Sequence, residues 1–187
     1  MAVEMLKQTE AARAALQRDP SAAYDELSPV VLGPHPSAER EAYLHPLLCA
    51  LSGLQAPSQE GNLPTTRTFL EAEPRWASLL AAIARDATIH VDFRVRALAL
   101  LSRIQAPEPR EMVLDFAGHD DADDLAEIVL AYKDPALVEA LIAKTPKRAL
   151  ANLEMFLGLP KRKPTRPTPK KSPPKPITTK KPTPKRR

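Results

Sequence analysis

Two short runs concentrate the side chains that do chemistry. His119-Asp120-Asp121-Ala122-Asp123-Asp124 sets an imidazole beside four carboxylates, and His90-Val91-Asp92 sets another imidazole two residues from a fifth. Imidazole nitrogen and carboxylate oxygen are donors that divalent transition ions accept. The competing use is structural, because acids at a helix start bind its free amides and offset its dipole. Both runs lead into apolar periodic segments, so capping is the stronger reading, by Asp120 or Asp121 and by Asp92. The first run lacks the Gly and Glu that a calcium loop places at its sixth and twelfth positions. His90, Asp92 and His119 match the donor types of a two-imidazole, one-carboxylate iron site, but no strand framework is present to hold one. His35 and His45 have no imidazole partner at helical i,i+4 spacing for zinc. No metal and no cofactor is expected.

Nucleophiles are equally unsupported. The single cysteine, Cys49, lies in Leu47-Leu48-Cys49-Ala50-Leu51. It reads as a buried small apolar residue with no basic neighbour or paired His evident. It has no internal disulfide partner, so nothing points to secretion. A Gly-rich phosphate loop, a nucleophile elbow and a Cys-x-x-Cys pair are all missing. The expectation is a protein that is not an enzyme.

The strongest functional signal is instead the distribution of charge. Of 187 residues, the 27 from Lys161 to Arg187 carry twelve basic side chains, eight prolines and no acid. The first 160 residues hold 15 Lys and Arg against all 23 acids, a net of −8. An acid-free cationic segment suits polyanions. The expected contacts are Lys161, Arg162, Lys163, Arg166, Lys170, Lys171, Lys175, Lys180, Lys181, Lys185, Arg186 and Arg187, acting collectively. With Ile177 as its one large apolar residue, the tail buries too little to offset ordering entropy and reads as disordered. It has no aromatic on which unpaired bases stack, so binding to DNA or RNA should be through phosphate and indifferent to sequence.

The elements that position these groups are helices. Ala and Leu dominate the apolar residues, aromatics are 4% and Gly occurs five times. That composition favours helix, and period-two strand runs are nearly absent. Proline and capping residues predict helices over about 3–17, a short segment near 21–27, and 37–54 with a kink or break at Pro46. Residues 55–66 read as the longest internal loop. Further helices are expected over about 74–86 and 92–104, then one that Ala106-Pro107-Glu108-Pro109 leads into and that ends before Gly118, and one capped by Asp120 or Asp121 that runs to about Lys133. Asp134-Pro135 and Thr145-Pro146 each place a cap before a first-turn proline, predicting helices over 135–144 and 146–158. Short connections imply antiparallel hairpins. The fold class is all-α: a helical domain over 1–160, either an α–α superhelix or an irregular bundle, followed by the tail 161–187.

One segment carries a family resemblance. Asp92-Phe93-Arg94-Val95-Arg96-Ala97-Leu98-Ala99-Leu100-Leu101-Ser102-Arg103-Ile104 resembles the second helix of a HEAT repeat. Leu79 to Asp86 resembles the end of the first. The resemblance implies a HEAT-like scaffold from about residue 74, built to bind other proteins. Phe93, Ala97, Leu101 and Ile104 form its predicted core stripe, with Arg94 and Arg103 in solvent. In composition the tail resembles the basic tails of linker histones and bacterial histone-like proteins.

The resulting expectation is a scaffold or adaptor that meets a protein through a helical face and a nucleic acid through its tail. One alternative is a pure protein-interaction adaptor with an inert tail or one that binds an acidic protein. Another is a nucleic-acid-acting enzyme on a HEAT-like frame. The start of the chain has no signal-peptide pattern and no stretch spans a bilayer. The expected location is therefore the cytoplasm, with the nucleoid as the place a DNA-binding tail would take it. Asp120, Asp121, Asp123, Asp124 and Glu127 read as an acidic patch that the tail could touch.

Overall fold

The computed structural model describes residues 2–54 and 65–159. The tail and its twelve cations, and most of the long internal loop, lie outside these residues. Ten α-helices and one 3₁₀ turn form among the described residues, with no strand. The all-α expectation therefore holds for them.

The chain opens with α1 (Ala2–Arg18), which packs on α2 (Pro20–Leu32) and α3 (Ser37–Gly53). The next elements are α4 (Thr66–Ala72), α5 (Pro74–Arg85) and α6 (Val91–Ser102). They are followed by α7 (Pro107–Met112), the 3₁₀ turn Val113–Phe116, and α8 (Ala122–Ala131). The last pair is α9 (Pro135–Lys144) and α10 (Lys147–Phe156). Successive pairs are α2/α3, α5/α6, α7 with its 3₁₀ turn/α8, and α9/α10. Second helices stack in order, α3 on α6, α6 on α8 and α8 on α10. First helices meet where α2 packs on α5 and the 3₁₀ turn on α9. This is a two-layered succession of helix pairs. One contiguous core runs from Leu16 through Leu153.

Local chemistry explains the boundaries. Asp19 accepts from the Ala22 amide and starts α2 ahead of Pro20. Asp134 accepts from the amides of Ala136 and Leu137 and starts α9 ahead of Pro135, as expected. Thr145 behaves differently. Its hydroxyl is buried and donates to the Leu141 carbonyl, closing α9 rather than opening α10. Gly118 takes φ +90 between the 3₁₀ turn and α8, and a Cβ there would lie 2.2 Å from Pro146 Cδ. Glycine is required on both counts.

Three expectations change. Helix α3 continues through Pro46, which is buried, because packing against α1, α2 and α6 outweighs the lost hydrogen bond. A short helix, α4, follows the long loop, capped by Thr65 accepting from the Thr68 amide. In α6, burial extends round most of the helix, with Val95 and Ala97 to Ser102 all buried, because α6 meets α3, α5, α7 and α8. Trp76 belongs to the core, fully buried with Nε1 donating to the Pro20 carbonyl and its ring edge-on to Tyr24. No helix among the described residues is long and apolar enough to cross a membrane.

Arginines join the pairs. Arg40 and Arg94 are each the fourth residue of their helix, α3 and α6. Each donates Nε to the penultimate carbonyl of the preceding helix, Val31 at 2.8 Å and Ala84 at 3.0 Å. The guanidinium then reaches the next pair. Arg40 bonds Thr88 and Asp86, and Arg94 lies 5.0 Å over the Phe116 ring. Arg94 is therefore a clasp, not a solvated face. Arg103 is also largely buried, its Nε donating to Glu127 at 2.7 Å and its Nη1 to Thr66. The expectation that both were in solvent fails because later helices cover that side of α6.

Candidate functional site

The second-helix layer gathers the polar side chains that the sequence left scattered. The starts of α6 and α8 lie together, and His119 stands between their carboxylates. Its Nε2 is 3.2 Å from Asp92 Oδ1 and its Nδ1 is 3.6 Å from Asp121 Oδ2. The Asp121 amide donates to Nδ1, which makes that nitrogen the acceptor and leaves Nε2–H for Asp92. The other Asp92 oxygen faces His90 Nδ1 at 3.4 Å. One ligand atom from each of Asp92, His119 and Asp121 lies within 4.8 Å of the others.

Capping does not occupy these carboxylates. Asp121 sits at the N-cap of α8, yet its side chain makes no capping bond. The N-cap of α6 is His90, whose ring accepts from the Asp92 amide, so Asp92 is inside the helix. Both acids are left to face His119. Burial, and then the nearby Asp92 charge, hold the Asp121 carboxyl above its ordinary range.

A second cluster adjoins it. Cys49 Sγ lies 3.7 Å from His45 Nε2, one helical turn back on α3. Arg96 of α6 donates Nη1 to the same sulfur at 3.7 Å, and its Nε lies 3.8 Å from Asp124 of α8. The thiol is half-buried, with a basic neighbour and a paired imidazole after all. Burial is the main cause that pushes the Asp124 carboxyl up to about 6, with Arg96 opposing it. Phe93 links the clusters, its ring edge-on to both His45 and His90.

The expected acidic patch is mostly consumed by these contacts. Asp124 faces Arg96, Glu127 faces Arg103 and Asp121 faces His119. Asp120 and Asp123 remain exposed. Beside His119, a polar cleft of about 300 Å³ opens between the starts of α8 and α10, lined by Asp120, Arg148 and Asn152. The arrangement offers a mixed nitrogen and oxygen donor set next to a guanidinium. The twelve cations named from the sequence lie outside the described residues, so the two sets are not brought together here.

No family model, curated protein or solved structure matches the chain.

Proposed function

We propose that the protein is a non-enzymatic helical-repeat scaffold of the HEAT type whose basic tail holds a nucleic acid or another polyanion without sequence preference. The observation that carries the polyanion half is the charge division, a net of −8 over residues 1–160 against twelve cations and no acid over 161–187. Such a tail collects phosphates and releases counterions, whatever the base sequence.

The scaffold half is supported by the ordered stacking of helix pairs and by the recurring Arg40 and Arg94 clasp. Helix pairs of this kind bury their faces against neighbours and leave an extended surface for partners. Near the last pair, Leu130, Met155, Phe156 and Leu159 remain 39–61% exposed. Large apolar side chains left open at the end of a stack suit a protein partner that continues the packing.

Contacts shared among twelve charges predict that single Lys→Ala changes in the tail lower affinity less than threefold, whereas removing 161–187 lowers it at least a hundredfold. Fluorescence anisotropy with labelled duplex DNA and RNA measures both. Equal affinity with and without the tail would favour the pure adaptor reading.

A further inference from the structure

We propose that Asp92, His119 and Asp121 bind one divalent transition ion of the zinc class, held between the second and third helix pairs. This goes beyond the scaffold reading and does not rest on it. Asp92 belongs to α6, whereas His119 and Asp121 lie just before α8, so the set assembles only when the pairs stack.

The geometry is close to a ligand shell. Bonds of about 2.0–2.1 Å at tetrahedral angles separate neighbouring ligand atoms by roughly 3.3 Å. Asp92 Oδ1 and His119 Nε2 are already 3.2 Å apart. Asp121 completes a set in which one ligand atom from each residue lies within 4.8 Å of the others. Asp121 can close the remainder by side-chain rotation, because its carboxylate makes no capping bond that would be lost.

Electrostatics favours a cation there. Two carboxylates share one imidazole, and Asp121 is both partly buried and repelled by Asp92. Arg96, whose charge acts on Asp121, is engaged with Asp124 and Cys49. One nitrogen and two oxygens suit zinc, cobalt, nickel or manganese better than an all-oxygen ion such as calcium. The polar cleft beside His119 is lined by Asp120 and Arg148 but by neither Asp92 nor Asp121. Three protein ligands leave a position on the ion for water or an anion.

Binding requires a bare Nε2. The neutral ring provides it by moving its proton to Nδ1, which gives up the bond from the Asp121 amide.

The test uses the full-length chain, whose 161–187 segment has no His, Cys, Asp or Glu to compete. Calorimetry with Zn²⁺ and visible absorption with Co²⁺ should give one equivalent bound. H119Q and D121N should each lower affinity by about 10–100-fold, with H45Q unchanged. No binding by the wild type up to millimolar ion, or equal affinity in H119Q, overturns the proposal. If H119Q fails to fold by circular dichroism, histidine-ring NMR of the wild type decides. Zinc must shift the His119 signals, and a shift confined to His35 or His45 overturns it.

Discussion

Arg40→Met is the most informative single perturbation of the stack. Arg40 is 7% exposed and serves three acceptors in two successive pairs: the Val31 carbonyl, Thr88 Oγ1 and Asp86. Methionine keeps much of the stem and removes every donor. The Arg40 guanidinium is the main cause that holds the Asp86 carboxyl down at about 2 from 3.8, with Thr88 adding to it. At about 1.4 kcal/mol per unit that gap has an upper limit of about 2 kcal/mol. The Asp86 side chain is 29% exposed, so water screens the pair, and Thr88 retains part of the effect. A share of about 1 kcal/mol is reasonable after that discount. The two other lost bonds contribute about 1 kcal/mol each, one of them leaving a buried carbonyl unsatisfied. The expected loss is about 3 kcal/mol at pH 7, at the lower edge of the range for breaking a buried pair. The folded-state pKa of Asp86 lies below its unfolded value, so its share is full above about 3.8 and fades as pH falls through about 2. Urea unfolding at pH 7 measures the loss, and the Asp86 carboxyl carbon signal reports its titration. In the variant that titration should move up toward 3.8. A loss below 1 kcal/mol, or an unmoved Asp86 titration, would refute the clasp. Arg94→Met should cost less, since Arg94 has the Ala84 carbonyl and the Phe116 ring but no carboxylate in its contacts.

Other consequences follow from single sites. The Asp124 carboxyl titrates at about 6 instead of 3.8, so its ionisation opposes folding. That cost is absent below about 3.8, complete above about 6, and at most about 3 kcal/mol at 1.4 kcal/mol per unit. The wild type should therefore gain stability from this group between pH 7 and pH 5, and D124N should flatten that slope in thermal melts; identical slopes would contradict it. Gly118→Ala adds a Cβ 2.2 Å from Pro146 at a φ of +90. It should cost about 2 kcal/mol or more by urea unfolding, whereas a neutral effect would mean that the turn is not held against α10.

How much of this was legible depended on the range of the interaction. Asp134 before Pro135 is a local signal and capped as read, because cap and amides are neighbours in sequence. The same reading failed at Thr145, where a carbonyl four residues back competed for the hydroxyl. Helix α4 has seven residues, too few to show a period beside a long loop. Asp92 and His119 were individually visible and set aside, because their meeting depends on the register of α6 against α8. Cys49 and Arg96 lie 47 residues apart, so no sequence pattern joins them. His45, four residues before Cys49, was the one local clue to that cluster. The Arg40 and Arg94 clasp was hidden for the same reason, since its acceptors are backbone carbonyls at the ends of other helices.

The central claim is that residues 161–187 act as a polyanion-binding arm on a helical scaffold. Its most direct test is the affinity of the full-length chain and of residues 1–160 for a labelled DNA duplex across a salt series. If half of the twelve tail cations meet phosphates, log affinity against log salt should fall with a slope of about −5 for the full chain. The shortened chain should bind weakly or not at all. A shallow slope for the full chain, or the same slope and affinity for both, would contradict the account.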